Sequence, residues 1–337
     1  MRIRVLCPHF EPDVAPTGVV MTAIVEGWAR AGHEIEVVTS LPWYLHHEIE
    51  PDWRGRLVDT RPTPWGEITR VHPFPTDKTD IRARALSFVG FTALVGLAGL
   101  FRRRRPDVVL AMSPPLTLGL AGWLVARLRR VPFVFNIQDV FPDVAVEVGA
   151  LTNRRLIAAF ARLERFTYRR SDAVTVLSED LRDNVLSKIG AGSGTRVRVI
   201  PNFVDTERIR PADRDTPYRR QYGLGDRTVV MYAGNVGFSQ PLDLLVEAAR
   251  RCRDRDDLVF VVNGGGAGLA AVQEAARGLD NVVFVGLQPA ERLGEVLASA
   301  DIHVIALKRG LGRASVPSKL YSILAAGRPV VASIDPG

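Results

Sequence analysis

Short apolar runs alternate with longer stretches of helical periodicity along most of this chain. The runs Ile3–Pro8 and Glu34–Ser40 flank a helix predicted over Val19–Ala31, and the strand–helix–strand order then repeats. This alternation is typical of βαβ units, in which parallel strands form one sheet with helices on both faces. The sequence therefore predicts an α/β fold with a doubly wound parallel sheet. The other strands predicted in the first half are Asp107–Met112, Phe133–Ile137, Ala173–Leu177 and Arg196–Ile200.

The alternation stops over 201–227, a charged stretch without clear periodicity, and then starts again. The strands predicted beyond it are Thr228–Ala233, Leu258–Asn263, Asn281–Val285, Asp301–Ala306 and Pro329–Ser333. We therefore predict two tandem Rossmann-like domains, 1–200 and 228–337, joined by a linker over 201–227. Ligands of such sheets bind beyond the carboxyl ends of the strands, so a cleft between the domains is expected to hold the site. Because no helix follows the last predicted strand, the second domain is expected to be truncated.

Composition and charge exclude several classes of protein. The 337 residues are 47% hydrophobic and 24% charged, with a formal net charge of +7, which excludes intrinsic disorder. Cys7 and Cys252 are far apart in the sequence, without metal-ligand spacing or a disulfide framework. No secretory signal precedes the first strand, so a cytoplasmic location is expected. The arginines are spread over helices and do not alternate with aromatic residues, which argues against nucleic-acid binding. No metal site is expected.

One long segment carries no charge. It runs over Ala85–Phe101, seventeen residues, and is followed at once by Arg102–Arg105. This length is at the lower limit of a membrane-spanning helix, about 17–25 residues. Three interpretations stay open: a core helix with a basic end, an interfacial helix that contacts anionic lipid, and a true span. The core helix is favoured because the segment leads directly into the predicted strand Asp107–Met112.

Three turns in the second half follow predicted strands and lead into predicted helices. They are Gly234-Asn235-Val236-Gly237, Asn263–Gly266 and the loop before Pro317. Each can direct backbone N–H groups towards an anion. Neither a P-loop nor a dinucleotide-binding fingerprint is present. One such turn would serve helix–strand packing equally well, but three along one sheet edge favour a phosphorylated ligand.

Lysine is rare in this chain, with four lysines among 44 basic residues. One of them, Lys319, follows Ser315-Val316-Pro317-Ser318. Ser315 is predicted to cap a helix and Pro317 to occupy its first turn, so that Lys319 projects from the positive helix end. A cation is unfavourable there unless an anion offsets its charge. We therefore predict that Lys319 neutralises a diphosphate.

One carboxylate follows a predicted strand of the first half. Asp139 lies just beyond Phe133–Ile137 and is expected to face the cleft, where it would accept a proton or orient a hydroxyl group. The alternative is a structural role as a helix cap.

Several sequence blocks, taken together, point to a known family. They are Pro8–Asp13 with Gly18, Ala31–Glu34, Arg105–Val109, Ser113–Pro115, Asp139–Asp143, Ile200–Asp205, Tyr232–Gly237 with Gln240, Pro317–Tyr321 and Gly327–Val330. With these blocks the chain resembles the GT-B glycosyltransferases of family 4, in the branch that builds bacterial exopolysaccharide and O-antigen units.

The resemblance implies transfer of a hexosyl or N-acetylhexosaminyl group from a nucleotide diphosphate sugar, UDP-linked, with retention at the anomeric carbon. It implies neither metal nor cofactor. The second domain would hold the nucleotide. The first would bind the acceptor, a sugar on a polyprenyl diphosphate, and Ala85–Arg105 would contact the inner face of the cytoplasmic membrane.

The resemblance also implies a set of site residues. Asp139 would orient the acceptor hydroxyl, Lys319 would stabilise the departing UDP, and Gly18 would let the acceptor-side loop approach the substrates. The residues implied for the donor site are Gly234, Asn235, Gly237, Gln240, Gly264, Gly286, Leu287, Lys308, Arg313, Ser315, Ser318, Lys319 and Ser322.

The chain departs from the family pattern at the donor site. The family has two glutamates where this chain has Ala314 and Ser322, and its usual arginine and lysine are replaced around Asn235 and Ser239. These departures increase the importance of Lys308, Arg313 and Lys319. They also keep two other function classes open: a non-catalytic, glycosyltransferase-like binding subunit, and a sugar-nucleotide epimerase of the same two-domain shape.

Overall fold

The computed structural model describes residues 1–45, 47–75, 81–102, 104–237 and 239–335. The chain divides into two units, Met1–Pro201 and Asn202–Gly337. Each unit contains one sheet built mainly of parallel strands, with helices between most of the strands. The predicted α/β fold with two tandem sheets is therefore confirmed.

The sheet of the first unit has its first strand near the middle. Its strands are β1 (Arg2–Leu6), β2 (Glu34–Ser40), β3 (Val58–Thr63), β4 (Gly66–Val71), β5 (Val108–Ser113), β6 (Phe133–Ile137), β7 (Ala173–Val176) and β8 (Val197–Val199). The order across the sheet is β3-β4-β2-β1-β5-β6-β7-β8. The six strands predicted for this half are all present, and β5 and β6 in its middle carry the apolar runs that a sheet covered on both faces requires.

Helices cover both faces of this sheet. They are α1 (Pro16–Arg30), α2 (Ile81–Leu100), α3 (Thr117–Arg129), α4 (Asp143–Glu147), α5 (Arg154–Arg170) and α6 (Glu179–Ile189), with short 3₁₀ helices at Pro51–Trp53 and Ala191–Arg196. On one face Met21 and Val25 of α1 pack with Val5 and Val37 of the sheet.

The β3–β4 hairpin was not expected from the sequence. β3 pairs antiparallel with β4 at the edge of the sheet, and four of its six residues are exposed. Its sequence is polar and contains Pro62, which normally argues against a strand and is tolerated at an edge. Because the hairpin buries little apolar surface, its hydrophobic pattern is too weak to predict it.

Helix α2 contains most of the uncharged segment that begins at Ala85. Its side chains Phe91 and Val95 are buried, and Arg4 donates from Nη1 to the Gly99 carbonyl oxygen at 2.6 Å. These contacts are those of a core helix, the interpretation that the sequence favoured. The opposite side of the helix is open, with Val89 62% exposed. No helix in the described ranges is long and apolar enough to cross a membrane.

The sheet of the second unit is parallel throughout. Its strands are β9 (Thr228–Ala233), β10 (Leu258–Asn263), β11 (Val282–Val285), β12 (Ile302–Ala306) and β13 (Val330–Ser333), in the order β11-β10-β9-β12-β13. The helices are α7 (Pro217–Gln221), α8 (Asp243–Arg251), α9 (Leu269–Ala275), α10 (Leu293–Ala298) and α11 (Lys319–Ala325), with a 3₁₀ helix at Ala290–Arg292. All five predicted strands are present.

Part of the segment predicted as a linker folds onto the second unit. Tyr218 of α7 is fully buried and donates to Asn263 Oδ1 at 2.8 Å, and Arg219 contacts Asp301 at 2.6 Å. Thr216 caps α7 with its side chain, followed by a proline at the first helical position. This cap–proline pair is the signal in the sequence that marks the helix.

Candidate donor site and acceptor-side residues

Two glycine turns lie side by side at the carboxyl edge of the second sheet. The Gly234 turn (234–237) follows β9, and the Gly264 turn (263–266) follows β10. Gly234 N donates to the Asn263 carbonyl at 2.9 Å, and Val236 N donates to the Gly265 carbonyl at 2.8 Å. A Cβ atom on Gly264 would lie 2.0 Å from the Gly234 carbonyl oxygen. Glycine at this position is therefore required for the approach of the two turns.

Most amides of the Gly234 turn are occupied within the protein. Gly234 N and Val236 N bond to the Gly264 turn, and Gly237 N donates to Gln240 Oε1 at 3.1 Å. The side chain of Gln240 thus binds the last residue of the Gly234 turn. Among the described residues, no hydrogen bond is formed by the N–H groups of Asn235, Gly265 and Gly266. An anion at this edge would therefore find these three amides available, and not those of Gly234 and Gly237.

Lys319 lies beside the Gly234 turn. Its Nζ is 3.8 Å from the centroid of the Tyr232 ring, a cation–π distance, and Tyr232 donates to the Asn235 carbonyl at 2.6 Å. A Cβ atom on Gly234 would lie 3.1 Å from this Nζ. The ammonium group is fully buried, and within the described ranges it has no hydrogen-bond partner. The structure therefore places an unpaired buried cation next to a turn predicted to bind phosphate.

Burial lowers the pKa of Lys319 to about 7. Desolvation disfavours the charged form of the amine. An anionic ligand would favour the charged form and raise this pKa again, so ligand binding and protonation of Lys319 are expected to be coupled.

The prediction that Ser315 caps the last helix is wrong. Helix α11 begins at Lys319, and Ser318 precedes it without a side-chain capping hydrogen bond. Ser315 instead belongs to a turn in which its N–H donates to the Leu311 carbonyl at 2.9 Å. This turn keeps Ser315 outside the helix.

The other predicted donor residues differ in their surroundings. Gly286 and Leu287 follow β11, whose last residue Val285 accepts a hydrogen bond from Gly264 N at 2.8 Å, so this turn adjoins the Gly264 turn. Lys308 N donates to the Ser239 carbonyl at 2.9 Å, which ties the β12–α11 loop to the segment after β9. The side chains of Lys308, Arg313, Ser318 and Leu287 are exposed, and Ser322 is half-buried on α11.

In the first unit, Asp139 lies just beyond a strand and Gly18 lies inside a helix. Asp139 directly follows β6 and is half-buried. Gly18 was predicted to lie in a loop. It is instead buried inside α1, where a Cβ atom would lie 3.0 Å from His9 Cβ. Gly18 therefore serves the packing of α1 against His9.

A side-chain group at the carboxyl ends of β1 and β2 was not predicted from the sequence. We call it the His9 cluster, formed by His9, Asp13, Trp43 and Tyr44. His9 Nδ1 lies 2.6 Å from Asp13 Oδ2, and the His9 ring centroid is 5.8 Å from that of Trp43 and 5.4 Å from that of Tyr44. The cluster joins segments about thirty positions apart in the sequence, which only the pairing of β1 with β2 brings together.

Comparison with known proteins places both units in one enzyme family. The profile described as Glycosyl transferase 4-like domain matches residues 17–202, and that of Glycosyl transferases group 1 matches residues 227–337. The putative colanic acid biosynthesis glycosyl transferase WcaI of Escherichia coli K12 is 30% identical over 99% of this chain and 84% of its own length. The probable glycosyltransferase WbjE of Pseudomonas aeruginosa is 26% identical over 78% of this chain and 66% of its own.

Solved structures share the fold. Sucrose-phosphate synthase from Thermosynechococcus elongatus matches with a TM-score of 0.74 at 18% identity, over 98% of this chain and 81% of that one. HepE of Anabaena in complex with UDP-glucose matches with a TM-score of 0.67 at 14% identity, over 98% and 80%. At these identities the likeness shows the fold alone. Together with the sequence matches, it shows that the chain belongs to the GT-B glycosyltransferases of family 4, in the exopolysaccharide and O-antigen branch.

Proposed function

We propose that this glycosyltransferase moves a sugar from a UDP-sugar to a polyprenyl-diphosphate-linked acceptor, with retention at the anomeric carbon and without a metal ion. The second unit would hold the donor, and the first would hold the acceptor. HepE, which shares the fold, has been solved with UDP and with UDP-glucose. In this proposal the chain works at the inner face of the cytoplasmic membrane during synthesis of cell-surface polysaccharide.

The observation that carries the proposal is the buried ammonium group of Lys319, which contacts the Tyr232 ring but has no hydrogen-bond partner among the described residues. A buried charge without a partner is costly, and such a cost persists in proteins mainly where a ligand offsets it. A diphosphate next to the Gly234 turn would supply the missing anion. It would also lie near the N–H groups of Asn235, Gly265 and Gly266, which form no hydrogen bond with the part of the chain that the structure describes.

The chemistry that this arrangement supports is stabilisation of the leaving group. When the bond between the anomeric carbon and the diphosphate breaks, negative charge grows on the phosphate oxygens. A fixed ammonium group in a site shielded from water stabilises that charge more than it stabilises the intact donor. Asp139 would orient the acceptor hydroxyl from the first unit.

The reaction is tested with a panel of UDP-, GDP- and TDP-sugars and a polyprenyl-diphosphate-linked sugar as acceptor, in the presence of a metal chelator. We expect release of UDP and extension of the lipid with one donor of the panel. UDP binding without turnover across the panel would favour the non-catalytic subunit. Conversion of a UDP-sugar in the absence of acceptor would favour the epimerase.

Membrane contact is proposed for the outer surface of α2 and α3. Apolar side chains spaced by four residues are exposed on α3, namely Leu120, Leu124 and Leu128, and Val89 and Leu97 are exposed on α2. Helix α5 packs against α3 through Trp123 and Phe166 and carries exposed arginines at 155, 162 and 169. An apolar surface flanked by arginines suits an anionic lipid surface.

The arginines after α2 contribute less than the sequence suggested. Arg102 pairs with Glu67 at 2.9 Å, and Arg104 pairs with Glu34 at 2.7 Å, while Arg103 lies outside the described residues. Their charge is therefore partly neutralised within the protein, and the arginines of α5 become the main candidates for contact with lipid.

Substitution Leu124→Asp is expected to lower binding to vesicles of phosphatidylglycerol and phosphatidylcholine by about ten-fold or more, because it places a charge in the apolar contact. Co-sedimentation measures the change. Leu244→Asp, at an exposed leucine of α8 in the second unit, is the matched control and should bind as the unmodified chain does. Equal binding of both variants would contradict the proposed surface.

A further inference from the structure

The donor chemistry proposed above does not use the His9 cluster, which lies where ligands of α/β sheets bind. His9 follows β1, and Trp43 and Tyr44 follow β2, which is the parallel neighbour of β1. The two loops therefore leave the sheet at the same carboxyl edge. The edge belongs to the first unit, to which the acceptor is assigned above.

Asp13 fixes the orientation of His9. The Asp13 carboxylate is only 5% exposed, and its Oδ1 accepts from Tyr44 N at 3.2 Å while its Oδ2 lies 2.6 Å from His9 Nδ1. Because a carboxylate accepts hydrogen bonds, Nδ1 carries a proton, and Nε2 is an acceptor when the ring holds this single proton. Within the described ranges no residue bonds to Nε2. One buried carboxylate thus joins the two loops and leaves a histidine nitrogen available to a ligand.

The aromatic rings beside His9 offer a second kind of contact. The Trp43 ring lies 5.8 Å from the His9 ring at an interplanar angle of 29°, and Tyr44 meets His9 edge-on at 76°. Both Trp43 and Tyr44 are half-buried, so each retains accessible surface. A sugar ring has an apolar C–H face and hydroxyl groups around its rim. It therefore matches an aromatic surface next to a hydrogen-bond acceptor.

We propose that the His9 cluster binds a sugar ring of the acceptor. The ring stacks on Trp43, one of its hydroxyl groups donates to His9 Nε2, and Asp13 acts as a positioning residue for His9. The identity of the sugar as the acceptor rests on the function proposed above. A nucleobase could stack on the same ring, but the nucleotide is assigned to the second unit, where the unpaired Lys319 lies.

The five tryptophans of the chain all lie in the first unit, so their NMR signals can report glycoside binding there. The full chain is labelled with 5-fluorotryptophan, and Trp43→Phe identifies the Trp43 resonance in the fluorine NMR spectrum. Methyl glycosides of glucose, galactose, mannose and N-acetylglucosamine are the probes, with uridine and glycerol as controls. We expect at least one glycoside to shift the Trp43 resonance saturably, and His9→Ala to weaken that binding about five- to ten-fold.

Further variants separate positioning from folding. Asp13→Ala should weaken glycoside binding, and Asp13→Asn, whose single amide oxygen can still accept one of the two hydrogen bonds, from Tyr44 N or from His9, should restore part of it. The other four fluorine resonances report whether the first unit is still folded. In the transfer assay, His9→Ala should raise the KM of the acceptor about ten-fold and leave that of the donor unchanged.

Stabilisation by UDP, measured in the same samples, distinguishes this proposal from the function on which it rests. If UDP stabilises the protein while every glycoside leaves the Trp43 resonance in place, the sugar site is refuted and the donor site stands. If uridine shifts that resonance, the cluster binds a nucleobase, and the sugar site is also refuted. If glycosides bind but UDP has no effect, the sugar site stands and the donor assignment fails.

Discussion

Replacing Lys319 by methionine is expected to lower the rate of sugar transfer about 10²- to 10³-fold. Methionine is flexible and apolar and fills the space beside Tyr232, so the packing is retained. The substitution removes only the ammonium group, which in our proposal offsets the charge on the departing diphosphate. The rate of sugar transfer from the active donor measures this decrease. UDP, which is expected to raise the melting temperature of the unmodified chain, should no longer raise that of the variant.

The same substitution is expected to stabilise the ligand-free protein by roughly 1 to 3 kcal/mol near pH 7. Burial lowers the pKa of Lys319 to about 7, whereas a lysine in an unfolded chain has a pKa of about 10.4. Between these values the unfolded state binds more protons than the folded state, so stability rises with pH. Denaturant unfolding measures the free-energy difference between the two proteins, which should shrink at about pH 10.

Two control variants separate the ammonium group from a general loss of structure. Lys319→Arg keeps the positive charge and should retain part of the stabilisation by UDP. Arg255→Met removes an exposed cation at the amino end of β10, on the opposite edge of the same sheet, and should change neither turnover nor stability. Undiminished stabilisation of Lys319→Met by UDP would contradict the role assigned to Lys319.

Gly264→Ala is expected to destabilise the second unit by about 3 kcal/mol or more. The new Cβ atom would lie 2.0 Å from the Gly234 carbonyl oxygen, and Gly264 has a φ of +152°, which an alanine rarely adopts. The clash involves backbone on both sides and cannot be relieved by rotation of a side chain. Denaturant unfolding measures this loss of stability. Because the clash forces the two turns apart, added UDP should no longer stabilise the variant in the same measurement.

The adjacent glycine gives a matched control. A Cβ atom on Gly265 would meet nothing within 4 Å, and its backbone angles suit an L-residue. Gly265→Ala should therefore change the free energy of unfolding by no more than about 0.5 kcal/mol. Similar destabilisation by both substitutions would show that the close approach of the two turns does not determine their stability.

The strands of both units could be predicted from patterns in the sequence. The side chains and amide groups of the candidate donor site could be predicted only in part. The runs that form β9 and β10 are largely apolar because both faces of a parallel sheet are covered, and Lys319 stands out by its rarity and its position after Pro317. The occupied amides of the Gly234 turn could not be foreseen. The partners of Gly234 N and Val236 N lie in the Gly264 turn, about thirty residues away, and depend on the register of β9 with β10.

The missed features share a physical cause. The β3–β4 hairpin is polar and lies at a sheet edge, so it lacks the alternation that marks a half-buried strand. Ser315 precedes a proline and matches a capping pattern, but a hydrogen-bonded turn from Leu311 takes it out of the helix. The His9 cluster depends on the adjacency of two strands. In each case backbone pairing or strand adjacency decides the structure, and the hydrophobic pattern and capping signals of the sequence do not report it.

Titration of the lysine side chains shows whether the Lys319 ammonium group holds a diphosphate. The chain has four lysines, so labelling them with carbon-13 at Cε gives at most four signals, and Lys319→Met identifies one of them. We predict that this signal titrates at about pH 7 without ligand and at a clearly higher pH when UDP is bound. A Lys319 signal that titrates at the same pH with and without UDP would contradict the account, because the ammonium group would then have no diphosphate to hold.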